Sequence, residues 1–124
     1  MVDENGMRAA LQAYIDRFNA GDGEGLAALF ADDARIEDPV GGPRIVQGRA
    51  DIDAFYSRAV GVVERLELAA PIRASHGRAA AMAFDIHLRA DRRVIRVIDV
   101  MQFNEAGEIV DMKAYHGPGD VEVL

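Results

Sequence analysis

The chain has 124 residues, half of them hydrophobic and 28% charged, a composition that suits one globular domain, residues 1–124, around a single core. Its net charge of −7 argues against a broad nucleic-acid surface, which needs a basic patch, and the absence of cysteine excludes disulfides and thiolate metal sites. The opening MVDENGMRAA is acidic and lacks the apolar run of a secretory signal, and no stretch nears the ~18 apolar residues of a membrane span, so a cytoplasmic protein is expected.

Residues 5–20 read as an amphipathic helix, because Met7, Leu11, Tyr14, Ile15 and Phe18 recur at three- and four-residue steps. Gly21 is its expected stop. Leu26, Leu29 and Phe30 suggest a second short helix ending before Asp32-Asp33, and ARIED (34–38) a short strand halted by Pro39 and Gly41-Gly42. After Gly48, the segment RADIDAFYSRAV sets Ile52, Phe55, Tyr56 and Ala59 on one helical face. From about residue 63 the period becomes two: Ala80, Met82, Phe84, Ile86 and Leu88 alternate with small or polar neighbours. A turn near residues 90–92 leads into Val94–Phe103, NEAGE (104–108) is a hairpin turn, and 109–116 is the last strand. Helices first and strands with short connections second predict an α+β domain with helices on one face of a mainly antiparallel sheet.

One letter in the strand RVIDVMQF breaks the pattern. Alternate strand residues share a face, so Asp99 sides with Ile95, Val97, Met101 and Phe103, while Arg96 and Gln102 lie opposite. A carboxyl on the apolar face is expected to be buried, and burial disfavours the anion. A neutral carboxylic acid, unlike a carboxylate, can donate a hydrogen bond. Taken alone, Asp99 fits equally a buried acid that accepts from an arginine or a backbone N–H. Asp38 shares a strand face with Ala34 and Ile36, just before Pro39, and by itself also fits a turn-initiating Asp. Tyr14 and Tyr56 stand on apolar helical stripes, where a tyrosine is usually core with its hydroxyl bonded.

Together, Tyr14, FADDARIEDPVG (30–41), DAFYSRAVG (53–61), IRASH (72–76) and VIDVMQFNEAGEIVDMKAYH (97–116) closely resemble the bacterial Δ5-3-ketosteroid isomerases, over residues 7 to 116. The resemblance implies the nuclear-transport-factor-2-like cone: a curved sheet and three helices around a deep apolar pocket. It also implies a homodimer that needs no cofactor or metal and moves a double bond of a 3-oxosteroid into conjugation. That family is itself the standard illustration of a carboxylic acid held neutral so that it can donate. Carried over by position, Asp38 matches the general base, and Tyr14 and Asp99 the donors to the C3 oxygen. Tyr56 matches a tyrosine that orients Tyr14, and Phe84 and Met112 match the lining around the steroid. Phe30 stands where some members have a further tyrosine, and His116 where at least one has a tryptophan near the base. His76 and His87 are expected to take no part. The rival readings are a same-fold polyketide cyclase or dehydratase, and a non-catalytic lipid-binding module.

Overall fold

The computed structural model describes residues 2–124. Helix α1 (Glu4–Asn19) starts at Asp3, whose Oδ1 accepts from the Gly6 N–H at 2.7 Å and satisfies one of the donors a helix start leaves free. Its stripe of Met7, Leu11, Tyr14, Ile15 and Phe18 is buried, and Gly21, at φ 69°, takes the left-handed turn that ends it. Helix α2 (Gly23–Ala27) is capped by Asp22 in the same way.

The second helix stops earlier than the spacing of Leu26, Leu29 and Phe30 predicts. Phe30 instead opens strand β1 (Phe30–Glu37), paired with Ile109, and the Leu29 carbonyl accepts from the Ile109 N–H at 3.0 Å. Long-range strand pairing overrides the local helical period. A register shift between Phe30 and Arg35 lets Asp32 and Asp33 stay exposed within the strand. Strand β2 (Ile45–Gln47) then leads through Gly48 (φ 89°) into helix α3 (Arg49–Val62).

Strand β3 (Val63–Leu68) begins where the period was expected to change, although no separate strand was expected there, and β4 (Ala79–Leu88), β5 (Arg93–Phe103) and β6 (Ile109–Tyr115) follow within a residue or two of the expected segments. A 3₁₀ turn (Pro118–Asp120) and strand β7 (Val121–Val123) end the chain. The curved sheet runs β2-β1-β6-β5-β4-β3, with β7 paired to β5 beyond β6. All pairs are antiparallel except β1–β6, which is parallel. Sequence periodicity missed that pair and the two three-residue edge strands.

Helix α1 lies over β3 and β4, and α3 over β1, β2 and β3. Arg49 clamps this junction. Its guanidinium donates to the carbonyls of Ala27 and Phe30 and to the carboxylates of Asp32 and Asp53, joining α2, β1 and α3. The core between helices and sheet is where the unusual polar residues gather.

Candidate active site

Asp99 lies mid-β5 and is 1% exposed, the one buried ionic side chain among the described residues. Its cross-strand partners are Met82 on β4 and Ala114 on β6, and the β4–β5 register is unbroken around it. Neither neighbour can donate a hydrogen bond, and Oδ2 has no partner among the described residues. Burial, reinforced by the charge of Asp38, drives the Asp99 carboxyl well above the usual carboxylate range. Burial thus favours the protonated acid over the anion, and Oδ2 meets no protein group. An unpaired buried polar atom costs roughly 1–3 kcal/mol, so its retention points to a ligand that completes it.

Tyr14, on α1, is held from behind. The Tyr56 hydroxyl on α3 donates to the Tyr14 oxygen at 3.1 Å, while the Met112 sulfur lies 3.6 Å from the Tyr56 oxygen. With Tyr56 as donor, the phenolic proton of Tyr14 is left free. Burial, first of all, pushes both phenols well above their ordinary range, so both stay protonated. The rings of Tyr14 and Tyr56 meet edge-on at 5.8 Å, and Phe30 packs on Tyr56 at 5.4 Å without a hydroxyl to extend the chain of bonds.

Asp38 follows the end of β1, and the Val40 N–H donates to the Ala114 carbonyl at 2.9 Å, tying this turn to β6. The same end of β6 brings His116 to Asp38, with Nε2 2.9 Å from Oδ1. Both side chains are partly exposed, 25% for Asp38 and 18% for His116.

Tyr14, Asp38 and Asp99 all line one inner cavity of about 80 Å³, otherwise walled by apolar side chains that include Phe18, Phe55, Leu66, Phe84 and Val97. One phenol and two carboxyl groups therefore face a common apolar space. Such a set can polarise an oxygen while a proton is removed nearby. The cavity is well below the ~300–1,000 Å³ typical of pockets for larger organic ligands. A large substrate must displace the half-buried rim of Phe55, Ala59 and Ile86.

Of the seven residues singled out from sequence, Tyr14, Asp38, Asp99 and Phe84 line the cavity. Tyr56 and Met112 are wholly buried one layer behind it, so Met112 touches Tyr56 rather than the space where a ligand would sit. His116 lines an adjoining groove of about 580 Å³, which shares Phe84 and Val97 with the inner cavity, and meets the site at Asp38. Phe18, Phe55, Ala59 and Ile86 stood on apolar stripes in the sequence, but periodicity does not separate a cavity wall from a filled core. Val63, Leu66 and Val97 were equally unmarked as lining. His87 pairs with Glu67 at 3.3 Å, away from the site.

Comparison with known proteins agrees on the fold and gives relatives of more than one activity. The SnoaL-like domain model matches residues 11–112. The Steroid Delta-isomerase of Nocardioides simplex is 40% identical over 121 residues, 94% of each chain. The epoxide hydrolase LasB of Streptomyces lasalocidi is 32% identical over 113 residues, 86% of this chain but 40% of LasB. Among solved structures, the epoxide hydrolase/cyclase-like enzyme SalBIII superposes over the full length of both chains with a TM-score of 0.90 at 26% identity.

Proposed function

The chain belongs to the SnoaL-like family, with the nuclear-transport-factor-2-like fold, and from that premise we propose that it is a steroid Δ5–Δ4 isomerase acting on 3-oxo-Δ5-steroids. In this reading the steroid's 3-oxo group enters the inner cavity and accepts from Tyr14 and Asp99. Asp38, as carboxylate, removes a proton from C4. The C3 oxygen gathers negative charge as the dienolate forms, and the two donors already face it, so little reorganisation is needed at the moment of reaction. Protonated Asp38 then returns the same proton at C6, leaving the conjugated enone and the original carboxylate. No proton or electron is gained or lost overall.

The observation that carries the reading is an unfilled set of hydrogen bonds: a buried Asp99 with Oδ2 unpaired, beside a tyrosine whose own proton is free, sharing one cavity with Asp38. The 40% identity to a steroid isomerase over nearly the full length supports the same conclusion. The test is incubation with 5-androstene-3,17-dione while following the ultraviolet band of the conjugated enone. The unaltered chain should produce it, and Asp38→Asn should bind product but turn over ~10²–10⁴-fold more slowly, the usual general-base contribution. No enone above the buffer rate would refute the assignment.

A second reading follows from the epoxide-opening relatives. A neutral acid could protonate an epoxide oxygen while a carboxylate activates an attacking hydroxyl. That chemistry needs one donor rather than two converging on one oxygen, and hydroxy-epoxide consumption without enone formation would favour it.

The outer sheet face supports a homodimer. Ala83, Ile98 and Tyr115 stand in one cross-strand row, with Ile98 and Tyr115 about half exposed, and Val121 and Val123 at the sheet end are exposed as well. A second copy of the chain covering this face would remove those side chains from water.

A further inference from the structure

We infer that His116 is a positioning residue for Asp38: its imidazole donates from Nε2 to Asp38 Oδ1, fixing the carboxylate so that Oδ2 is the oxygen that carries the substrate proton. The inference rests on the isomerase reading and adds to it a residue outside the ligand cavity.

Asp38 has no other side-chain hydrogen bond among the described residues. A carboxylate at a strand end, one quarter exposed, would otherwise turn freely about two side-chain torsions and be solvated on either oxygen. The two partners are held by one piece of backbone. β1 and β6 run parallel, with Glu37 opposite Lys113, so the chain leaves β1 at Asp38 beside the last residues of β6. The Val40–Ala114 bond fixes one side of the junction. On the other side, the turn after His116 is closed by the Gly117 N–H donating to Asp120 Oδ2 at 2.7 Å and by the Asp120 N–H donating to the Gly117 carbonyl at 3.0 Å. The 2.9 Å contact is thus built by the fold on both sides.

A carboxylate engaged at Oδ1 retains Oδ2 for the cavity. A neutral donor orients the base while leaving it able to accept a proton. An imidazolium in the same place would stabilise the carboxylate further and make it a weaker base. The ionisable groups sharing its groove or contact are Asp38 at the end of β1, Tyr115 on β6, Asp120 from the turn, and Asp85 and Arg96 on β4 and β5; Tyr14 and Asp99 lie beyond Asp38 in the inner cavity. Arg96 is engaged by Asp85 and Glu122.

The test compares the unaltered chain with His116→Ala and His116→Gln; the glutamine amide reaches about as far as Nε2 and donates without titrating. His116→Ala should lower kcat ~10-fold, the effect of one hydrogen bond, with KM little changed. His116→Gln should recover most of that loss. Independently of turnover, ¹⁵N spectra of the unaltered protein should show the imidazole protonated at Nε2 at neutral pH. Unchanged kcat in His116→Ala, no recovery in His116→Gln, or a bare Nε2 would each overturn the role. If His116→Ala does not fold, the kinetics of His116→Gln and the ¹⁵N spectrum decide. Absence of turnover in the unaltered chain would instead refute the isomerase reading and leave the spectrum to judge the hydrogen bond.

Discussion

A carboxyl between Met82 and Ala114, with an oxygen that no protein group meets, is an expensive thing to keep in a core. Its cost and its use share one cause: surroundings that offer no donor also keep the proton on. Two donors aimed at one oxygen make substitutions at Tyr14 and Asp99 informative together. Tyr14→Phe and Asp99→Ala should each lower kcat by ~10²–10³-fold, the usual worth of an oxyanion-hole donor, and the double variant should lose less than the product. Asp99→Asn should be milder than Asp99→Ala because an amide still donates. Steady-state kinetics of the four variants checks this, and equal damage from Asn and Ala would contradict a donating role. The face of Asp99 was readable from the sequence because strand geometry has a period of two and no bulge intervenes. The partner of Asp38 was not, since no spacing in the sequence shows that β1 runs beside β6.

Among the elements, the same asymmetry holds. Helices α1 and α3 and strands β4 and β5 carry strong periodic stripes, and each lies close to where its stripe predicts. Strands β2 and β7, three residues each, are too short to show a period, and Phe30 follows its partner Ile109 rather than its local spacing. The Arg49 clamp was likewise invisible, because its four acceptors come from three elements. By joining α2, β1 and α3 it braces the helix that carries Tyr56, and through Tyr56 the free proton of Tyr14. Arg49→Met keeps much of the aliphatic stem but strands the carbonyls of Ala27 and Phe30. It should lower unfolding free energy by ~1–3 kcal/mol in urea titration. A change within ~0.5 kcal/mol would reduce the clamp to an ordinary surface contact.

For the whole molecule, the raised Asp99 has a thermodynamic consequence with a definite sign. Below about pH 4 the carboxyl is protonated in both folded and unfolded chains and has no effect on the balance. Above that, the unfolded chain releases the proton and the folded one retains it, so the unfolded state binds fewer protons and stability falls as pH rises. The slope approaches ~1.4 kcal/mol per pH unit from this group and persists until the folded carboxyl itself ionises. Denaturant titrations of the unaltered chain and of Asp99→Asn, from pH 5 to 8, should differ in slope by about that amount; parallel curves would mean that the folded acid is already ionised. The outer sheet face gives a second expectation at this scale. Sedimentation should show a dimer that Ile98→Glu shifts toward monomer, because a charge placed in the cross-strand row would be desolvated on association. An unaltered chain that is monomeric at micromolar concentration would remove the sheet face as an interface.

The most direct measurement is the infrared spectrum of protein with ¹³C-labelled aspartate, taken as the difference between the unaltered chain and Asp99→Asn at neutral pH, free and with a naphthol bound. Protonated Asp99 predicts a single carbonyl stretch of a carboxylic acid, shifted on ligand binding as its O–H engages the naphtholate oxygen. A carboxylate pair at that position in both states would contradict it.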